Sequence, residues 1–557
     1  MSAPVPAPGP LPRHGGRILA DALAAHGVER VFSVPGESFL AALDGLLDAC
    51  IDNVVCRHEG GAAMMAEATG KLTGRPGVVF VTRGPGACNA AAGLHVARQD
   101  STPLVCFVGQ VPRGHRDREA FQEIDYRAVL GPMVKWVAEV DEVGRLPEYL
   151  RRAFRTAVTG RPGPVVLALP EDMLSAVAEV ADLPPAPPPV PGVTAAQVEA
   201  LLAPLRRAER PLVIAGGGAW SQQAADDLAR FAGTNRLPVA ASFRRQGHVD
   251  NGLPVYAGDL GVGMNPGLAR RLGQADCLLV LGARLGEIAS DGYAALDPAR
   301  PGPAILHVHP DPDMPGRVFG AEVALAADPA AVLARLSRVD DLPGWADWTA
   351  AARAEYEAWH DPKPTPGEVR MEEVVAWLSA HLPDDAIVTN GAGNYAAFLH
   401  RYYGFRRWGT QLAPTSGSMG YGFPAAVAAS LAHPDRTVVC MAGDGCFQMT
   451  LNEMSTAVQH GARPVVIVAN NGQYGTIRMH QERRYPGRVS GTALANPDFA
   501  ALARAYGGHG ERIERQQDFA AAFDRARASR LPAVIELVLD PEALTPGATL
   551  SQVRGTA

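Results

Sequence analysis

The sequence predicts an α/β protein of three doubly wound, parallel-sheet domains in series. Three observations carry this. At 557 residues the chain is too long for one hydrophobic core and fits three domains of ordinary size. Short apolar runs alternate with longer amphipathic ones, the rhythm of buried parallel strands joined by helices. Two breaker-rich stretches interrupt that rhythm at spacings of about one domain each.

From Arg17 to about Pro170 the runs Val31–Val34, Val78–Thr82, Leu104–Gly109 and Pro164–Leu169 read as strands, with helices at Ile18–His26, Phe39–Ala49 and Gly60–Gly70. The run from Pro184 to Pro191 contains six prolines and one valine and one alanine, which favours an extended connector. A second unit follows, with strands expected at Leu212–Ala215, Val239–Ser242, Cys277–Leu281 and Ile305–His309. After the breaker cluster Asp361–Gly367, a third unit carries Ala386–Thr389, Thr437–Ala442, Val465–Ala469 and Ala533–Leu537. The expected layout is a tail over 1–13, domains over 14–183, 195–340 and 369–545, linkers over 184–194 and 341–368, and a tail over 546–557. No clean sequence repeat relates the three units.

Composition excludes several classes. Hydrophobic content of 47%, charged content of 20% and a mean hydropathy near zero are those of a globular protein. A net charge of −7 spread over this length gives no footprint for nucleic acid or anionic lipid. Seven cysteines, an odd number without a C-x-x-C pair, suit a reducing compartment, and the Pro/Ala-rich start lacks the basic and apolar regions of a signal peptide. A cytoplasmic location and no membrane partner are the expectations.

The segment most telling of chemistry is Gly443-Asp444-Gly445 at a strand end, followed after residues 446–469 by Asn470-Asn471 at the end of the next strand. Neighbouring parallel strands end on the same edge, so Asp444 and Asn471 are expected to project into one crevice. A carboxylate and an amide carbonyl are hard oxygen ligands, suited to magnesium that completes its shell with phosphate oxygens. The glycines let backbone approach a diphosphate at the following helix start. Alone, G-D-G is an ordinary strand-end turn; the spacing to the Asn pair makes it more.

With that spacing the chain resembles the thiamine-diphosphate enzymes, and among them acetolactate synthase (the catalytic large subunit) and its relatives. Further blocks come in the family's order: Val34-Pro35-Gly36, Arg57-His58-Glu59-Gly60-Gly61, Arg83-Gly84-Pro85-Gly86-Ala87-Cys88-Asn89, Gly109-Gln110-Val111-Pro112, Ala120-Phe121-Gln122-Glu123, Gly417-Ser418-Met419-Gly420 and Phe447-Gln448-Met449-Thr450. The resemblance implies a pyrimidine-binding first domain, a diphosphate-binding third domain, and thiamine diphosphate and Mg2+ as cofactors. It implies Asp444, the Asn471 side chain and the Gln473 backbone carbonyl as metal ligands. It implies Glu59 as the carboxylate facing the aminopyrimidine ring, whose shared proton lets the 4′-amino group take the proton of thiazolium C2. Met419 becomes the apolar prop under the cofactor, and the carbonyls of Gly417 and Met449 hold the 4′-amino group. Gly443, Gly445, Cys446, Tyr474 and Gly475 line the diphosphate. Pro35, Gly36, Asn89 and Asn394 are further cofactor contacts, and Gln110, Phe121 and Gln122 come toward the substrate side. Glu59, Phe121 and Gln122 are the catalytic set.

The resemblance also implies a homodimer or homotetramer whose sites pair first-domain residues of one subunit with third-domain residues of another. A regulatory subunit stays an open question. The family's central domain binds FAD, and Ala215–Gly218, Gly258–Gly263 and His307–Asp311 can form such a site. Such loops occur in any α/β domain, so FAD stays open as well.

Two positions depart from the branched-chain biosynthetic enzymes. Ile288 stands where they carry a substrate-facing arginine, and His480 where they carry a tryptophan that favours the larger acceptor. The expected activity is decarboxylation of a 2-keto acid and ligation of the remainder to a second carbonyl. The alternative is a non-ligating 2-keto-acid decarboxylase or acyloin-type lyase. A fold-keeping protein without catalysis is disfavoured by intact Glu59, Asp444 and Asn471, and a nicotinamide dehydrogenase by the missing G-x-G-x-x-G after a first strand.

Overall fold

The computed structural model describes residues 11–218 and 220–555; most of the expected N-terminal tail lies outside them. Each of the three domains holds a six-stranded, wholly parallel sheet flanked by helices. By compactness the chain divides into two units, Met1–Pro189 and Val190–Ala557, and the Pro-rich stretch ends the first.

In the first unit the strands run, across the sheet, Asp52–Val55, Arg30–Ser33, Gly77–Thr82, Leu104–Gln110, Pro164–Pro170 and Trp136–Glu139. The third domain's sheet, Gln411–Leu412, Ile387–Asn390, Val438–Gly443, Val465–Asn470, Ala533–Val538 and His509–Ile513, has the same winding, 2-1-3-4-6-5 in chain order. The central sheet is wound 3-2-1-4-5-6: Tyr256–Asp259, Val239–Ala241, Pro211–Ala215, Cys277–Leu281, Ala304–His309 and Val323–Ala326. The four inner strands of the first sheet and of the third are almost wholly buried on both faces, which is why they read as mainly apolar runs.

Every strand expected from the sequence forms, within one or two residues at its ends. The strands not anticipated are the edges. Asp52–Val55, Trp136–Glu139 and His509–Ile513 are half-exposed, and their mixed composition (DNVV, WVAE, HGERI) hides them from a search for apolar runs.

Three expected boundaries need correcting. The start of the first domain is drawn in by Arg13–His14, which pairs antiparallel with Val177–Ala178. The stretch 341–368, expected as a linker, carries the helix Ala346–His360. This helix belongs to the central domain: the Tyr356 ring meets Tyr256 edge-on at 4.9 Å, and Glu355 accepts from Arg271 at 2.7 Å. The expected tail 546–557 holds the helix Leu550–Gly555, where Leu550 and Val553 form a small core with Met479 and Leu544. Among the described residues no helix is long and apolar enough to cross a membrane, and none of the seven cysteines is in a disulfide.

The terminal helix is fastened by Glu482, whose buried carboxylate accepts from Arg554 Nε at 3.0 Å, from Gly487 N–H at 2.8 Å and from Arg478 at 2.7 Å. These partners, Arg554 first, hold its pKa down to about 2. A depressed carboxylate contributes stability that is whole above its unfolded value of about 4.3 and is lost as pH falls toward the folded one. The Glu482→Gln variant is therefore expected to show a lower urea midpoint than the parent near neutral pH, with the gap narrowing once pH drops below about 4.

Candidate active site

In an open α/β sheet a ligand seats outside the carboxyl ends of the strands, where the winding reverses. In the third domain that point lies between Ile387–Asn390 and Val438–Gly443, and a cavity of about 240 Å³ opens there. Asn394, Gly417, Met419, Gly443, Asp444, Gly445, Cys446, Asn471, Gln473, Tyr474 and Gly475, all expected from the sequence, line it together. The register explains the convergence: Gly443 pairs with Ala469, so the next residues of the two strands leave the sheet side by side.

Asp444 opens the short helix Asp444–Gln448 and is only 3% exposed. Its Oδ1 accepts the Gly445 N–H at 2.8 Å, and its Oδ2 accepts the Gly472 N–H at 2.9 Å and the Asn496 amide at 2.8 Å. Burial pushes its pKa up, and these hydrogen bonds oppose the shift. The two asparagines of the pair point to different tasks. Asn471 faces the cavity, whereas Asn470 donates to the buried Glu536 at 2.7 Å and accepts from Asn496 at 2.8 Å. The Gln473 side chain is drawn off to the Pro541 carbonyl at 3.0 Å.

The donor set is thus one carboxylate, one amide and backbone carbonyls, with no cluster of three His, Cys, Asp or Glu side chains among the described residues. Such hard, weakly charged oxygens suit a cation that also takes ligands from a phosphate, and magnesium in particular. The wall is shaped for close backbone approach. A Cβ on Gly445 would lie 2.5 Å from the Tyr474 ring, so only glycine leaves that surface open. Thr476 donates to Asn394 at 2.8 Å, and Cys446 accepts from the Tyr395 hydroxyl and the Gly420 N–H, each at 3.1 Å. Met419 is partly buried against the domain core. Met449, expected beside the cofactor ring, is not among the lining residues; its side chain is 52% exposed and it packs at Gly420.

The first unit shows a second convergence at the same kind of edge. Glu59 opens the helix Glu59–Thr73 and is buried, and His58 caps that helix by accepting the Gly60 N–H at 3.0 Å. Asn89, from the helix Arg83–Asp100, donates to Glu59 Oε2 at 2.9 Å. Arg83 at the head of that helix reaches Glu37 at 2.9 Å and Glu171 at 2.7 Å, tying together the segments that follow three strands. Gly36 packs on Thr82 with Pro35 exposed beside it. The Gln122 carbonyl accepts the Gly84 N–H at 2.9 Å, which fastens the Phe121–Gln122 loop to the same edge, and Phe121 is 72% exposed. Gln110 sits apart from Glu59: its amide oxygen is engaged by the Val111 N–H and the Tyr126 hydroxyl, and it borders a cavity of about 460 Å³ with Glu139, whose carboxyl burial pushes upward.

The sequence reading missed Asn496, Glu536 and Tyr395. The first stands in a loop before Pro497 and the second within an apolar strand, and neither context signals contact with Asp444 or Asn470. The loops named for FAD follow central strands, where the Gly216 carbonyl is taken by Trp220 Nε1 at 2.6 Å and the Gly217 carbonyl by Arg245 at 3.1 Å and His248 at 3.0 Å. Nothing in that arrangement singles out a flavin.

Comparison with known proteins agrees with this geometry. Residues 13–129 match the N-terminal TPP binding domain of thiamine pyrophosphate enzymes, 198–336 their central domain and 391–537 their C-terminal TPP binding domain. The chain is 31% identical over 551 residues to the acetolactate synthase isozyme 2 large subunit of Escherichia coli, covering 97% of this chain and 99% of that one. It is 33% identical over 543 residues to the acetolactate synthase large subunit of Parasynechococcus marenigrum (94% and 87% covered) and 32% over 570 residues to the Escherichia coli isozyme 3 large subunit (97% of each). With three successive domain matches and relatives aligned along nearly the whole length, the chain belongs to the thiamine pyrophosphate enzyme family.

Proposed function

We propose that the protein decarboxylates a 2-keto acid and joins the remainder to the carbonyl of a second one, as an acetolactate-synthase-like carboligase using thiamine diphosphate and Mg2+. The observation that carries the reading is the meeting of Asp444 and Asn471 at one cavity, beside the glycines of the third domain's switch point. Resemblance to acetolactate synthase large subunits along the chain supports the ligating outcome.

Asp444, Asn471 and the Gln473 carbonyl hold the cation. Gly443, Gly445, Cys446, Tyr474 and Gly475 cradle the diphosphate, with Asn394 beside them. Met419 supplies an apolar support, and the carbonyls of Gly417 and Met449 orient an amino group. Bound there, thiamine diphosphate supplies a carbon nucleophile and an electron sink for decarboxylation. Glu59 holds the proton that activation requires; Asn89 occupies Oε2 and leaves Oε1, beside Gly86, to exchange it. Pro35 and Gly36 complete the pyrimidine side, and Gln110, Phe121 and Gln122 face the substrate. Sites form between two copies of the chain, which works in the cytoplasm.

A second reading, a non-ligating decarboxylase or acyloin-type lyase, is favoured by Ile288 and His480 at positions of acceptor choice. Ile288 lies on a short 3-10 turn and is 37% exposed, and His480 is exposed. Products formed from pyruvate separate the two: acetolactate is expected, and acetaldehyde alone would favour the second.

The Glu59→Gln variant is expected to lose roughly 100-fold or more in kcat while binding thiamine diphosphate about as tightly as the parent, since the change removes a proton and little contact. Isothermal titration beside steady-state rates checks this, and an unchanged kcat would remove Glu59 from the mechanism. Mixing refolded Glu59→Gln and Asp444→Asn chains tests the shared sites. Each mixed dimer would hold one intact site, so about a quarter of parental activity should return, whereas sites built within one chain would recover none.

A further inference from the structure

We infer that Asn496 is a positioning residue for the cation clasp, setting the orientation of Asp444 through its side-chain amide. The inference rests on the reading of Asp444 as a metal ligand and goes beyond it.

The hydrogen bonds around Asn496 have one consistent direction. An ionised Asp444 only accepts, so the Asn496 atom 2.8 Å from Oδ2 is its NH2 group. The second proton of that group meets Asn470 Oδ1 at 2.8 Å. Asn470 must then turn its own NH2 the other way, and Glu536 Oε1 accepts it at 2.7 Å. Asn496 Oδ1 accepts from Gln448 Nε2 at 2.9 Å, which locks the amide plane. Glu536 is fully buried and is itself held by the Phe499 N–H at 3.1 Å and Arg512 at 3.5 Å. A relay of amides with an acceptor carboxylate at each end has a single arrangement of protons, and that arrangement aims a donor at Asp444.

The consequence falls on the two oxygens of Asp444. Oδ2 receives Asn496 and the Gly472 N–H, which it shares with Asn470 Oδ1 at 3.3 Å, while the nearest donor to Oδ1 is the Gly445 N–H at 2.8 Å, and the Gln473 N–H also acts on the carboxylate. Asn496 therefore selects Oδ1 as the oxygen offered to the cavity. Without it the carboxylate can rotate and present either oxygen, and the cation must then order the ligand as it binds. Asn496 does not line the cavity, so it acts on a cation through Asp444 alone.

The test uses the full chain with Asn496→Ala and with the near-isosteric Asn496→Asp. Mg2+ is titrated by calorimetry at saturating thiamine diphosphate, thermal midpoints of the cofactor-free proteins are recorded, and kcat is followed against Mg2+ concentration. The expected result is Mg2+ affinity about 10- to 100-fold weaker in both variants, thermal unfolding that stays cooperative at a lowered midpoint, more so for Asn496→Asp, and kcat that recovers toward the parent's at high Mg2+. Affinity within about twofold of the parent in either folded variant, or a kcat loss that Mg2+ does not restore, would overturn the inference, as would failure of both variants to fold. A parent protein whose thiamine diphosphate binding ignores Mg2+ would instead overturn the reading of Asp444 as a ligand, which keeps the two outcomes apart.

Discussion

Burying a carboxylate is among the most expensive things a fold can do, and the third domain does it at the one place where its sheet leaves a natural opening. Taking Asp444 out of water costs several kcal/mol if the charge stands alone. The structure offsets this with two backbone N–H groups and one amide, all supplied by segments that must arrive in register: the start of the helix after one strand, the loop after the next, and a loop some fifty residues away. The parallel pairing of Val438–Gly443 with Val465–Asn470 makes that arrival possible, and the rest of the cavity is arranged around the result. A charge held in this way is offered to a cation with little reorganisation to follow.

The first unit solves a different electrostatic problem with the same scaffold. Glu59 is also buried at a helix start, but a single amide contacts one of its oxygens, and its other oxygen is left beside a glycine. Asp444 has donors on both oxygens, and Glu59 on one alone. In the proposed function that difference in donors, rather than depth below the surface, separates a cation ligand from a proton carrier.

Much of this is legible in the chain. Buried parallel strands must be apolar on both faces, so all twelve anticipated strands stand out, and G-D-G with its Asn pair names the cavity because strand ends share an edge. Illegible were the edge strands, whose half-exposed faces admit Asp, Asn and Arg, and the helix Ala346–His360, which comes before the breaker cluster yet beyond the last apolar strand run of the central domain. Asn496 was hidden for a related reason: its importance comes from a contact made across 52 positions of sequence, and an asparagine before a proline reads locally as a turn.

The shared winding of the first and third sheets gives each strand end an address that can be compared between them. At the residue that follows the third strand in chain order and opens the next helix, one domain places Arg83 and the other Asp444. Equivalent ground thus carries opposite sign. Arg83 spends its charge on Glu37 and Glu171, so its address is closed by ion pairs of its own, while the carboxylate at the other is answered only by N–H donors; two domains of one blueprint are thereby kept from exchanging guests.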